Sequence, residues 1–304
     1  MGYHVTVYDI LYYGSDFLPL DNPSLTVVQG DVRDINKIES IMPGVEAVLH
    51  LACISNDASF ELDENLSTTV NMDAFEPIVL AAKKAGVKRF VFASSSSVYG
   101  ISEEPDVKEG HPLVPLTLYN KYKGLCEPIL FKHTDQNFVG VVYRPATVCG
   151  YSKRQRLDVV VNILTNLAYH NREITIFGGE QLRPNIHIDD MVEAYMVMLD
   201  ADGDYVSGEI FNVGYENQTV RCLAETVRDA VGRDVKLSTV PTDDNRSYHI
   251  SSEKIRRELG FSATHSVEEA VRDLLTAFDS GSLPNSLTDE KYFNIKRMQS
   301  LDLE

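Results

Sequence analysis

An α/β fold, a doubly wound parallel sheet followed by a smaller α/β unit, is what these 304 residues predict, and three observations predict it. Short apolar runs of strand length alternate with amphipathic runs of helix length up to about residue 150, the order that parallel strands with crossover helices require. The run VTVYD ends in an acid, Asp9, where a dinucleotide-binding sheet places the carboxylate that holds ribose hydroxyls. After Gly150 the segments become longer and more polar, which marks a second unit. The expected division is a Rossmann-like part over 1–150 and a substrate part over 151–304.

The elements follow in order. MGYHVTVYD predicts a buried strand, with Val5, Val7 and Ile10 alternating around Thr6 and Tyr8. LTVVQGD, Leu25 to Asp31, is a strand and DINKIESIM a short helix; AVLHLA, Ala47 to Ala52, is the next strand. A helix is expected from about Leu66 to Ala85, closed by Gly86. RFVFASS, Arg89 to Ser95, reads as a strand, LYNKYKGLCEPILFKH as a helix, and FVGVVYRPATVCG, Phe138 to Gly150, as a strand with its loop. In the second part a helix near Val159 to Tyr169 precedes EITIFGG, and RPNIHIDDMVEAYMVML is a strand entering a helix. EIFNVG is a strand, and VRCLAETVRDAVG, KIRRELG and SVEEAVRDLLTAF are helices.

Composition narrows the function. A 43% hydrophobic content is ample for a buried core, while a formal charge of −17 argues against nucleic acid or an anionic membrane as a partner. The four cysteines, Cys53, Cys126, Cys149 and Cys222, lack the close pairing of a zinc or redox motif, so free thiols in a reducing cytosol and no metal site are expected. No run approaches 18 apolar residues and no basic-then-apolar leader opens the chain, which points to a cytoplasmic location.

The chemistry is carried by three residue types at fixed spacing. The strand RFVFASSSSVYG ends in serines; Tyr119 follows, with Lys123 four residues further on in YNKYK. Residues four apart share a helix face, and a neighbouring ammonium lowers a phenol's pKa toward that of a usable base. A serine at the neighbouring strand end, Ser95, can then align a substrate hydroxyl.

At these residues the chain resembles the extended short-chain dehydrogenase/reductase family, within it the nucleotide-sugar epimerases and dehydratases. The resemblance runs from VTVYDILYYG through GDVRD, HLACISND, FASSSSVYG, YNKYK, YRPATVCG, RPNIHIDDM and FNVG to NRSYHISSEKIRRELGF. It implies that Tyr119 is the base on a sugar hydroxyl, that Lys123 holds the nicotinamide ribose, and that Ser95 aligns the substrate. It implies NAD as cofactor, with Asp9 on the adenosine ribose, Asp31 and Val32 beside adenine, Leu51 and Ala52 passing along the cofactor, and Pro145 near the nicotinamide. Arg183 and Arg246 would grip the diphosphate of a nucleoside diphosphate sugar, with Asn162 and Thr147 also on the substrate side. Sugar 4,6-dehydratases carry Asp-Glu where this chain has Ser96-Ser97, so the expected reaction is a 4-epimerase-like oxidation and reduction at a sugar carbon.

The sequence also departs from that pattern. The glycine-rich turn, with its strand and helix, does not occur about 20 residues before Asp9 in these residues, and in this fold that strand lies mid-sheet. The remaining strands are expected to close up, recruit a strand or be destabilised, and NAD binding by these residues alone is expected to be weak or absent. The alternative is a non-catalytic module that binds a sugar nucleotide or a partner. Pro77 and Pro128 fall inside the two helices that pair across the usual homodimer of the family, which puts that dimer in doubt.

Overall fold

The computed structural model describes residues 2–55, 57–243 and 247–301. The first part opens with strand β1 (Val5–Asp9), strand β2 (Leu25–Gln29), helix α1 (Ile35–Ile41) and strand β3 (Ala47–His50). Helices α2 (Asp57–Phe60), α3 (Glu64–Thr68) and α4 (Phe75–Lys84) follow, then β4 (Arg89–Ala93), α5 (Leu118–His133), β5 (Val139–Pro145) and β6 (Thr147–Cys149). Beyond Gly150 come α6 (Val160–Asn171), β7 (Glu173–Phe177), β8 (Leu182–His187), α7 (Ile188–Asp200) and α8 (Gly203–Val206). The chain continues through β9 (Ile210–Val213), β10 (Glu216–Thr219), α9 (Val220–Val231), β11 (Lys236–Val240), α10 (Glu253–Leu259), α11 (Val267–Asp279) and α12 (Asn294–Ser300).

The main sheet is parallel, in the order β3-β4-β5-β9, with β9 arriving from beyond residue 150. Side-chain alternation in β4 shows why it is buried on both faces. Phe90 and Phe92 face Phe75, Ile78 and Val79 of α4 and Leu130 of α5, while Val91 faces the opposite core with Ala194 and Met198 of α7. A third core, built on Val161, Leu164, Leu223, Val227 and Val271, joins α6, α9 and α11.

β1 and β2 form a separate parallel pair, Val5 opposite Leu25 through Asp9 opposite Gln29. Among the described residues no strand pairs with the other edge of β1 or with the edge of β3 away from β4. Of the three outcomes open to the sequence, the strands neither close up nor recruit a neighbour among these residues. The expectation of a buried β1 is corrected: Val5 is 47% exposed, because β1 has a strand on one side only.

The single helix expected over 66–85 is also corrected. Its span breaks into α3, a π-helical turn over Thr69–Asp73, and α4, so Pro77 is the third residue of α4 instead of an interior one. The π turn absorbs the misfit of a residue that cannot donate to the helix ladder. Pro128 does sit inside α5, as the sequence indicated.

His50, at the end of β3, lies among Phe75, Phe90 and Phe92. Burial, with a smaller contribution from the Lys123 charge, pushes its imidazole down to about 3. The unfolded chain takes up this proton below about pH 6.5, the folded chain does not, so His50 contributes stability above that pH that is lost as pH falls. Thermal denaturation is expected to give a lower Tm at pH 5.5 than at pH 7.5, and His50→Leu to narrow that difference. An unchanged difference in the variant would assign the acid sensitivity elsewhere.

Candidate active site

β4 delivers Ser94 to Ser97 to the carboxyl end of the main sheet, between β3 and β5. Ser95 is extended backbone and caps a 3-10 turn, Ser96–Tyr99, its Oγ accepting the Ser97 N–H at 3.2 Å. The turn ends at Gly100, with φ 67°, where an added Cβ would lie 2.0 Å from the Val114 carbonyl oxygen, so the bend requires glycine. α5 begins directly after Thr117, whose hydroxyl caps the Asn120 N–H at 3.3 Å, and this places Tyr119 in the first turn.

Ser95, Tyr119, Pro145, Thr147, Asn162 and Arg183 line one cleft of about 750 Å³. The structure thus brings together six residues that the sequence singled out from five separate segments. Ser95 Oγ lies 2.7 Å from Ser97 Oγ, which in turn donates to Asn120 Oδ1. Lys123 stands behind this wall: it is buried, donates to the Ala93 carbonyl at 2.6 Å and sits 4.9 Å from the centre of the Phe92 ring. Arg183 stacks at 5.4 Å over the Tyr248 ring and donates to the Leu182 carbonyl. Asn162 lines the cleft, but its amide is engaged within the protein: Oδ1 accepts the Gly150 N–H and Nδ2 donates to the Arg156 carbonyl. Arg246 lies outside the described residues.

The proposed cofactor residues Asp9, Asp31, Val32, Leu51 and Ala52 lie outside the lining of this cleft. Asp9 is exposed at the end of β1 with Oδ1 accepting the Leu11 N–H at 2.6 Å. Asp31 is held in a two-point pair by Arg33, which lowers its carboxyl despite partial burial. Val32 packs at the margin of the α4 core, Leu51 is half exposed and Ala52 half buried. Of the residues the sequence assigned to a cofactor, Pro145 lines the cleft, with Lys123 behind its wall, and the other five do not line it. No glycine-rich turn for its pyrophosphate occurs among these residues.

A buried network supports the serine strand, and the sequence reasoning missed it. Ser94 Oγ donates to Glu127 Oε1 at 2.6 Å, and Glu127 takes two bonds from Arg144, at 2.9 and 2.6 Å. Arg144 also donates to the Tyr99 hydroxyl, which donates to Asn212 Oδ1, each at 2.7 Å. Burial pushes the Tyr99 phenol up to about 12, so it stays a neutral donor. The available signal was spacing: Tyr119, Lys123 and Glu127 recur every four residues along one face of α5.

The profile described as the NAD dependent epimerase/dehydratase family matches residues 1–214. The mouse dTDP-D-glucose 4,6-dehydratase is 30% identical over 208 residues, 66% of this chain and 57% of that protein. The chain therefore spans somewhat more than half the length of that relative. The UDP-glucose 4-epimerase of Lactobacillus helveticus is 25% identical over 288 residues, 87% of this chain and 86% of the enzyme. Among solved structures, UDP-glucose 4-epimerase from Thermotoga maritima, with UDP-glucose, is 25% identical with a TM-score of 0.81, covering 92% of each chain.

Glu127→Ala leaves the Arg144 guanidinium buried without its carboxylate, and is expected to cost about 3–5 kcal/mol of stability, read from chemical denaturation midpoints. A loss below about 1 kcal/mol, the range of an exposed pair, would show that the network does not hold this wall.

Proposed function

The chain belongs to the NAD dependent epimerase/dehydratase family, and from that premise we propose that it epimerises a nucleoside diphosphate sugar by oxidation and reduction at one sugar carbon, as a 4-epimerase does. The observation that carries this choice over dehydration is the chemistry of the cleft wall. Asp158 is the one carboxylate lining the cleft among the described residues, and it is committed to Arg156 Nε at 2.5 Å and the Asn294 N–H at 2.7 Å. Ser96 and Ser97 stand where an acid and base pair for water elimination would be needed.

In this reading Tyr119 takes the proton of the sugar hydroxyl, and Ser95 positions that hydroxyl. The Lys123 ammonium, one helical turn along, favours the phenolate. Bound NAD would supply the acceptor and donor of hydride. Asp9, with a carboxylate that repels a 2′-phosphate, favours NAD over NADP. Arg183 supplies a cation for the diphosphate, and the exposed ring of Phe177 at the cleft offers a face for the base. The second reading, a binding module without turnover, draws on the edges of β1 and β3 that no strand pairs among the described residues.

With NAD in large excess, purified protein is expected to convert a UDP-hexose into its 4-epimer, and Tyr119→Phe to lower turnover by about 10²–10⁴-fold. Accumulation of a keto-deoxy sugar overturns the epimerase assignment; binding of the UDP-hexose without conversion supports the module. For these residues alone, calorimetry is expected to show NAD binding weaker than micromolar, and micromolar affinity would show that the site forms without a glycine-rich turn.

A further inference from the structure

Arg154 lines the same cleft and differs from its neighbours in how its charge is balanced. In a chain of net charge −17, the described arginines mostly face acids: Arg33 with Asp31, Arg144 with Glu127, Arg156 with Asp158, Arg297 with Glu290. Arg154 is held by neutral groups. Its guanidinium stacks at 3.8 Å over the Tyr13 ring, and Nη2 donates to Asn294 Oδ1 at 3.0 Å. No carboxylate among the described residues forms an ion pair with it; Asp158, paired with Arg156, acts on it only at longer range, and burial holds its pKa below the ordinary arginine value.

The holder is itself fixed. Asn294, buried at the start of α12, donates from Nδ2 to Ser55 Oγ at 3.0 Å and from its backbone N–H to Asp158 Oδ2 at 2.7 Å. Tyr13 belongs to the loop after Asp9, and that loop is tied to α12 by Arg297, which donates to the Tyr12 carbonyl at 2.7 Å. Three segments distant in sequence thus hold one guanidinium in a set plane at the wall of the cleft. A half-buried cation without a directly paired counter-ion is costly, and a planar fork of N–H donors suits an oxyanion.

We propose that Arg154 is a phosphate-binding residue of the cleft, oriented by Tyr13 and Asn294, and that a phosphate of the bound nucleotide supplies its counter-charge. This rests on the nucleotide-binding reading of the cleft above. The phosphate has two possible sources, the dinucleotide and the nucleoside diphosphate sugar. The place of Tyr13, four residues beyond Asp9, puts Arg154 beside the cofactor loop.

Calorimetry with NAD, ADP-ribose and UDP-glucose as separate probes tests it on the full chain, without any turnover. Arg154→Gln is expected to weaken at least one probe by about tenfold or more, the scale of a charged hydrogen bond. Arg154→Lys keeps the charge but not the fork and should fall between, and Asn294→Ala should weaken the same probe less. Loss confined to NAD and ADP-ribose assigns the dinucleotide phosphate; loss confined to UDP-glucose assigns the sugar nucleotide. Unchanged affinities for all three in a folded Arg154→Gln protein overturn the proposal. If Arg183→Gln still weakens UDP-glucose in that case, the nucleotide-sugar reading stands without it. A wild-type chain that binds none of the probes overturns both.

Discussion

The buried pair of Glu127 with Arg144 is the contact on which the geometry of the cleft depends. It joins α5 to β5, and through Ser94 it reaches the end of β4, so one ion pair fixes three elements that carry Tyr119, Pro145 and Ser95. Two charges removed from water are tolerable only if nearly every donor and acceptor is satisfied. Here the carboxylate accepts from Ser94 and Arg144, and the guanidinium also finds Tyr99 and the Glu109 carbonyl. The arrangement is directional where an apolar contact would not be. It sets the rotation of α5 about its own axis, and that rotation decides whether Tyr119 faces the serines.

What was legible in the sequence followed from periodicity and spacing. The strands of the main sheet, the full length of α5 and the helices α6, α7, α9, α10 and α11 could all be read because their apolar faces recur at 2.0 or 3.6 residues. The convergence of Ser95, Tyr119 and Arg183 on one cleft was legible through resemblance. Less accessible were features set by single long-range partners. Glu127 and Arg144 are 17 residues apart and Arg154 and Asn294 140 apart; the spacing on α5 marks Glu127's face, but nothing local marks its partner or that of Arg154. Strands β10 and β11 were missed for a related reason: ENQT carries no apolar alternation, and it is a strand because β8 lies beside it. The split of the 66–85 helix at a π turn likewise reflects tertiary context around Asn71, whose amide bridges both backbone groups of Ile54.

The division between β1–β2 and β3–β4–β5–β9 bears on how Asp9 and its surroundings are held. A strand with one neighbour leaves half its ladder groups without a strand partner, and among the described residues β1 and β3 each present such an edge. The side chains respond accordingly, Val5 and Leu51 being about half exposed where apolar residues of a doubly wound sheet are normally covered. Two other ties hold β1 in place. Tyr3 reaches Asp200 at the end of α7, and Tyr8 donates to the Asp31 carbonyl at 2.7 Å while packing against Gly30. The Asp9 carboxylate at the end of β1 is therefore positioned by side chains as much as by the sheet.

Charge places the final constraint on what the cleft can hold. With a net charge of −17, the protein repels a nucleoside diphosphate at long range, and salt screens that repulsion only partly within about 10 Å. Recognition of such a ligand then depends on cations presented locally from walls that exclude water. A guanidinium already paired with an acid contributes little, since its field is cancelled at the distance of the ligand. Arg156, bound to Asp158, is of that kind, whereas Arg154 rests on a ring and an amide oxygen and feels Asp158 only at longer range, so its charge at the cleft wall is less fully cancelled. The distribution of counter-ions among neighbouring arginines, more than their number, decides where phosphate can be received.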